Sequence, residues 1–436
     1  MACRRRQAPW SRALTRASLL LAIAATASLA LLISAAPKAS AEFSCGVQSG
    51  WGTYSANNQP GACWRPYNDA SPFNRRVGAR TPLSADSARI VSTLLQGGSV
   101  DDWIAGDPQR DGGVPIYWSS PSDPVVTLHC VKPWGHCGLE GLQIHVPAQA
   151  QPQGGYATQS NDHDAHMTVI DQSTGWEYDL WNVNSRSDST LNFGWGGKTR
   201  IDGDGRNSGA VAANYGTIAG PVRFAELQAG QINHALTMVV PCTDDYVYPA
   251  TGRGLTCAQA GFPSDYSIPM GAHFRLAMTK RQIKKAKLPA WKKAVVTALS
   301  TYGAYVSDTS GDRGQWGFER ESTETYTAYG KPDPWLNFAK ATGTPAEDYN
   351  GNGYPEYWMH LGDGINWGKL RVVDVCAAQG TCPVMEKSQR LRLRARACRR
   401  HLVRWKRRHR SHAGKHHIQR KRTRWSNRCR RIARAV

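Results

Sequence analysis

The residues best suited to chemistry crowd into one stretch, NDHDAHMTVIDQSTGWEYDLWNV, from Asn161 to Val183. Asp164, His166, Glu177, Asp179 and Trp181 fall there in two short alternating runs. A positioned imidazole or carboxyl of tuned pKa is the usual agent of general acid–base catalysis. His beside Asp is equally a metal-ligand combination. An indole among acids is a surface on which a sugar ring stacks, because one flat face is apolar and the N–H is polar.

These side chains act together only if strands align them. QSTG (Gln172–Gly175) is a turn, and setting Asp171 opposite Trp176 fixes the pairing. Thr168 then faces Asp179, and His166 faces Trp181. Strand alternation puts Asp164, His166, Thr168, Glu177, Asp179 and Trp181 on one face. Met167, Val169, Tyr178 and Leu180 fall on the other, the natural core side. A one-residue slip would scatter the group over both faces. On this reading His166 is the general acid/base or a metal ligand. Asp164 and Asp179 orient it or share its charge, Glu177 and Trp181 hold substrate, and His234 and Asp308 complete the site from neighbouring strands. The competing reading is a solvated outer sheet face, which explains the acids but less well the indole. His234, in INHAL, shares strand parity with Ile232, Leu236 and Met238, so a satisfied core histidine fits it as well as a catalytic one.

There is no G-x-S-x-G elbow, H-E-x-x-H, phosphate-binding glycine loop or G-x-G-x-x-G. The familiar esterase, zinc-protease and nucleotide readings are thereby removed. Asp348, Asn350 and Asn352 in DYNGNG have the alternate spacing of a calcium loop, with Gly353 at the turn. Met359 stands where a bidentate Glu is needed, so the full loop is absent and a plain turn competes. No cofactor is required by these residues; calcium is the one left open.

Around this stretch lie many short apolar runs between turn residues: Val114–Trp118, Pro124–Val131, Gly141–Pro147, Gln231–Pro241, His273–Met278, Ala304–Asp308 and Lys369–Val375 all read as strands. Helices are expected after Ser84 up to Gly97, over Arg223–Ala229 before Gly230, and after Pro289 up to Gly303. Strands and helices do not alternate regularly. The fold class expected is mainly β, an antiparallel sandwich or jelly roll with a few helices.

The order SPFN (Ser71–Asn74), VPIY, DAHMTVID, YDLW, AGPVRFAEL (Ala219–Leu227), INHAL, YVYPAT, IPMGAHFRL and YGAYVSD (Tyr302–Asp308) resembles a widespread family of exported bacterial proteins. Its pattern is D-x-H, then H-A-L, then a helix–YG–strand run, and it spans most of Ser71 to Asp374. The resemblance implies export and a single β-rich unit, and no particular chemistry. It points to Asp164, His166, Asp179, Arg223, His234 and Asp308, with Asp179 standing where the pattern has Glu; Arg223 would bind substrate.

The ends of the chain bear on compartment. Residues 1–41 have basic residues, an apolar run from Ser18 to Ala36 and small residues at Ala39–Ala41, the pattern of a cleaved signal peptide. Apart from Cys3, ten cysteines fall in near pairs: Cys45/Cys63, Cys130/Cys137, Cys242/Cys257, Cys376/Cys382 and Cys398/Cys429. In an exported chain these read as sequential disulfides. The formal charge of +21 belongs to the ends. Residues 387–436 hold 21 Lys and Arg and no acid, the leader holds 6 more, and 27 remain against 33 acids in the β-rich body, residues 42–386. The tail is either a helical hairpin clamped by Cys398–Cys429 or disordered, and it would bind polyanions such as wall polymers or anionic lipid. The function expected is that of an exported carbohydrate-active protein, a polysaccharide lyase or glycoside hydrolase. The alternative is a non-catalytic glycan-binding or structural surface protein.

Overall fold

The structure, a computed structural model, describes residues 48–49, 51–78, 80–132, 134–156, 164–206, 208–263, 266–311, 314–348, 351–374 and Ser426. The chain divides into two units, Met1–Gly46 and Val47–Val436, and every described residue lies in the second. The leader, the tail apart from Ser426, Cys45, Cys376, Cys382, Cys398, Cys429 and Asn350 lie outside the described residues.

Strands β1 (Gln48–Ser49) and β2 (Trp64–Arg65) form a small parallel pair. A helix, Ser87–Gly97, precedes β3 (Gly98–Val100) and β4 (Trp103–Ala105). Then follow β5 (Ile116–Ser119), β6 (Val125–Cys130), β7 (Gln143–His145), β8 (Met167–Asp171), β9 (Trp176–Arg186) and β10 (Thr190–Arg200). These six form one sheet, in the order β5-β8-β9-β10-β6-β7. Further on come β11 (Leu236–Val240), β12 (His273–Leu276), β13 (Ala304–Thr309), β14 (Gly314–Phe318), β15 (Ala346–Glu347), β16 (Glu356–Met359) and β17 (Leu370–Val372). A second six-stranded sheet runs β17-β12-β13-β11-β14-β3, and β15, β16 and β4 make a small third.

The body is β-rich, as its short apolar runs imply, but its large sheets are mixed rather than antiparallel. β5 runs parallel to β8, β6 to β10, β11 to β13 and β3 to β14. Parallel neighbours need long crossovers. Between β11 and β13 the crossover includes β12 and the helix Ala290–Thr301, while those from β5 to β8 and from β6 to β10 run through irregular excursions and intervening strands, so a pattern of strands and turns gives little sign of them.

The first sheet curls. His145 on edge strand β7 reaches Asp171 at the end of β8 (3.2 Å), although β9, β10 and β6 separate the two strands in hydrogen-bonding order. Strand twist accumulating over six strands brings the ends of β7 and β8 within side-chain reach. One face of this sheet holds Met167, Val169, Tyr178 and Leu180, packed with Val126, Leu128, Ile144 and Phe193. Burying each such aliphatic or aromatic side chain stabilises by about 1.5–3 kcal/mol.

The second sheet carries the larger core. The helix Ser87–Gly97 buries Ile90, Val91 and Leu94 there, and Ser87 Oγ accepts a bond from Val372 N (2.8 Å). The helix Ala290–Thr301 follows Pro289 and stops before Gly303, whose φ of +85° a residue with a Cβ would resist. The helix Phe224–Ala229 ends at Gly230 as expected, while Arg223, expected as its first residue, is its N-cap. Three further helices were not expected: Lys280–Lys285, Glu324–Thr327 and Pro334–Ala341.

Residues 215–222 join the two sheets. Thr217 N and Ile218 N donate to carboxylates on β9, while Gly220 O accepts from Thr237 N on β11 (3.2 Å). A side chain at Gly220 would collide with the backbone of Leu236 and Thr237, so the close approach of this segment requires glycine there. The disulfides Cys130–Cys137 and Cys242–Cys257 pair as expected, and Cys63 is also disulfide-bonded.

Candidate functional site

The β8–β9 hairpin has the register read from the sequence: Asp171 faces Trp176 and Thr168 faces Asp179. Regular pairing ends at Met167–Leu180. Beyond it Ala165 and Asn182 take positive φ (44° and 55°), and Asn182 N and Val183 N bond Asp164 O and Ala165 O. Irregularity of this kind re-aims side chains at the end of a ladder. Here it brings Asp164 Oδ1 to Trp181 Nε1, which donates to it at 3.0 Å.

The polar face is not open along its length, and this corrects the expectation of one continuous platform. Glu177 and Asp179 are fully buried beneath residues 215–222. Glu177 accepts from Tyr67 Oη (2.6 Å) and Ile218 N (3.0 Å). Asp179 accepts from Thr168 Oγ1 (2.9 Å) and Thr217 N (3.2 Å). Burial, and then the Asp179 charge, pushes Glu177 well above the usual carboxylate range, and burial pushes Asp179 up to about 6. Two buried carboxyls side by side keep a proton between them at neutral pH. The pair ties the sheets together through residues 215–222.

The open end of the same face is different. Asp164 is exposed, and His166 and Trp181 are partly buried. Trp134, 61% exposed, stacks on Trp181 (centroids 5.2 Å apart), Trp195 lies 6.0 Å from it, and Lys132 sits over the Trp181 ring. Trp134 lies in the loop closed by Cys130–Cys137, which holds it out from the sheet. Burial keeps His166 neutral, with the Asp164 charge opposing, and its buried Nδ1 has no hydrogen-bond partner among the described residues.

The second sheet adds two carboxyls. Asp308 on β13 is pushed up to about 8, by burial first and then by the charges of Glu319 and Asp164; the N–H groups of Thr309 (2.8 Å) and Ala212 (3.3 Å) oppose the shift. Glu319, just past β14, accepts from Ser307 Oγ (3.0 Å) and is raised by burial and by Asp164. Asp164 thus acts on His166, Asp308 and Glu319 together. The group sets carboxyls raised by burial and an imidazole lowered by burial near the Trp134–Trp181 stack, the ingredients of paired acid–base chemistry.

Of the expected residues, Asp164, His166, Trp181 and Asp308 come together. Arg223 and His234 do not join them. Arg223 donates to Glu226 (2.9 Å) and to the carbonyls of Pro60, Gly61 and Trp64. His234 Nε2 bonds Glu226 (3.0 Å) and Nδ1 donates to Ala235 O (2.8 Å). Burial raises Glu226, but the Arg223 and His234 charges hold it below the usual range. All three are buried and bonded to one another rather than to Asp164, His166, Trp181 or Asp308. At the calcium-like loop Asn352 donates to Asp107 and accepts from Tyr354 N, a turn arrangement, and Asp348 is exposed. Among the described residues no group of three His, Cys, Asp or Glu side chains is arranged to hold a metal. Ser173, His145 and Asp171 have the composition of a catalytic triad. Ser173 Oγ, however, donates directly to Asp171 (2.5 Å), and both contacts to His145 use Nδ1, unlike a nucleophile–base pair.

Glu319, Trp134 and Lys132 were not singled out from the sequence. Glu319 becomes distinctive only when β14 pairs with β11 and its backbone N–H bonds Thr237 O. Trp134 carried a sign, an indole inside a short cysteine loop. Comparison of the chain with protein families, curated proteins and solved structures finds no match.

Proposed function

We propose that this is an exported carbohydrate-active protein whose site is the seam where Asp164, His166, Asp308 and Glu319 meet the Trp134–Trp181 stack. One observation carries the reading: Asp164, bonded by the Trp181 indole of the Trp134–Trp181 stack, is near enough for its charge to act on His166 and on the carboxyls of Asp308 and Glu319. Asp308 would give its proton to the glycosidic oxygen as the carbon–oxygen bond breaks. Water would add to the anomeric carbon and lose a proton to Asp164 or His166, so one bond is exchanged and no redox partner is needed. The disulfides Cys130–Cys137 and Cys242–Cys257 fit an oxidising compartment. The basic tail would hold the protein to a polyanionic envelope polymer or anionic lipid.

A glycan panel with product detection by mass tests this. Wild type should release products, Asp308→Asn should bind without turnover, and Trp134→Ala should lose binding. Turnover unchanged in Asp308→Asn, or glycan retention unchanged in Trp134→Ala, would refute it. A non-catalytic binding role is the second reading, favoured by one feature: Asp308 spends its oxygens on the backbone N–H groups of Thr309 and Ala212.

A further inference from the structure

Residues 266–307 hold eight Lys and Arg and no acid, in a body where acids outnumber bases by 33 to 27. Five of the eight, Lys280, Arg281, Lys284, Lys285 and Lys287, are exposed. None of the five makes an ion pair or a side-chain hydrogen bond among the described residues. The charges of Asp363 and Asp102 act instead on Lys292, which is buried and donates to Asp363 O (3.0 Å).

Helix stability does not account for this placement. In the helix Lys280–Lys285, capped by Thr279, Ile283 is the buried residue. Lys280 and Arg281 stand in the first turn, where the helix dipole disfavours cations, and no acid is present there. Lys280 lies one turn from Lys284, and Arg281 one turn from Lys285. Like charges at that spacing destabilise a helix. More positive charge follows nearby. Val77 N bonds Thr301 O (2.7 Å), and Arg76 lies over the Tyr302 ring (5.4 Å), so exposed Arg75 and Arg76 stand at the C-terminal end of the helix Ala290–Thr301. Positive charge thus marks both ends of that helix, about 18 Å apart.

The patch is remote from the seam. β12 runs antiparallel to β13, with His273 opposite Tyr305 and Phe274 opposite Ala304. The chain therefore leaves β12 for the helix Lys280–Lys285 at the end of the sheet where β13 begins, about 20 Å from Asp308 at the usual rise per residue. A ligand on the patch leaves the seam open.

The surroundings narrow the ligand. No large apolar side chain is exposed within residues 266–307 among the described residues, so the patch lacks the wedge with which a surface helix enters a bilayer and the ring on which a nucleic-acid base stacks. Four of the five exposed cations are lysines, point charges that suit phosphate without two-pronged geometry. We infer that residues 280–287 form a docking surface for a linear phosphate-bearing polymer of the cell envelope. The inference takes the polymer's source from the exported reading above, adds a folded site to the one proposed for the tail, and is independent of the seam's chemistry.

Lysine acetylation of the full chain, read peptide by peptide by mass spectrometry with and without poly(glycerol phosphate), tests this. At low salt the polymer should slow acetylation of Lys280, Lys284, Lys285 and Lys287 at least fivefold, and high salt should restore it. Lys340, exposed on the helix Pro334–Ala341, should change less than twofold. Replacing Lys284, Lys285 and Lys287 together by Gln should weaken polymer binding by the full chain at least threefold. Protection of tail lysines with none at residues 280–287 overturns the body site and leaves the tail and the seam standing. Unchanged binding in the triple variant overturns it as well. Stronger protection of residues 280–287 by phosphatidylglycerol vesicles, or by duplex DNA, than by poly(glycerol phosphate) overturns the polymer class.

Discussion

Asp308 decides whether the seam can act as an acid. Its carboxyl is pushed up to about 8 by burial and by two neighbouring carboxyls. Activity that needs its proton is therefore present at neutral pH and falls as pH rises through about 8. Asp308→Asn should lower turnover by roughly 10²–10⁴, the usual worth of a positioned acid, and a pH–rate profile of wild type should show the alkaline limb near 8. A flat profile over that range would count against the acid role. His166 and Met167 give a second test from adjacent positions. Met167 is fully buried in the first-sheet core, so Met167→Ala should cost about 2–5 kcal/mol. His166→Ala should cost under about 1 kcal/mol by denaturant melt and lose activity, because its Nδ1 holds no bond among the described residues. A large loss of stability in His166→Ala would make it a packing residue instead. The chemical types of Asp164, His166, Trp181 and Asp308 were legible in the sequence, because residue type is what chemistry selects. Glu319 was not, since its neighbours come from β11 and β13.

At the scale of elements, the Glu177–Asp179 pair links β9 to the 215–222 segment. Tyr67→Phe removes a donor and leaves a buried oxygen of Glu177 with one bond fewer, at a cost of about 1–3 kcal/mol in a denaturant melt. An unchanged melt would show that Tyr67 contributes only its ring. The Cys242–Cys257 disulfide closes a loop of 15 residues. Replacing both cysteines by serine should cost roughly 3 kcal/mol by the loop-entropy estimate. The hairpin register was legible because turn and side-chain alternation are local. The helix Pro334–Ala341 also had local signs that went unread, Asp333 as cap and Pro334 in the first turn. Parallel pairing had none, because it depends on which distant strand arrives alongside.

Across the whole molecule, buried carboxyls dominate the pH dependence of stability. Asp308 and Glu324 are pushed up to about 8, and Asp179 and Glu321 to about 6, each chiefly by burial. Folding takes up protons wherever pH lies between the ordinary carboxyl range and those values, so stability falls as pH rises from about 4 to about 8. His273 works the other way. Burial holds it at about 4, so it folds neutral, and its contribution is lost as pH falls from about 6.5 to about 4. Four carboxyls outweigh one histidine, so melting temperature should be highest near pH 4 and decline to about pH 8. A maximum at pH 7 or above would mean that these carboxyls are ionised in the fold.

What the sequence determined by itself was local or additive. Its charge division, cysteine spacing, β-rich body, hairpin register and the residue types able to do chemistry depend on composition or on near neighbours along the chain. Tertiary structure alone decided which of those residues meet. Glu177 and Asp179 share strand parity with His166 and Trp181, yet residues 215–222 cover one end of that face and leave the other open. Arg223 and His234 were drawn into a buried bond network with Glu226, and Glu319 came to the site from β14. Strand alternation says which side of a sheet a residue takes. Whether that side meets water or another layer depends on segments far away in sequence, and so does the ionisation of every carboxyl on it.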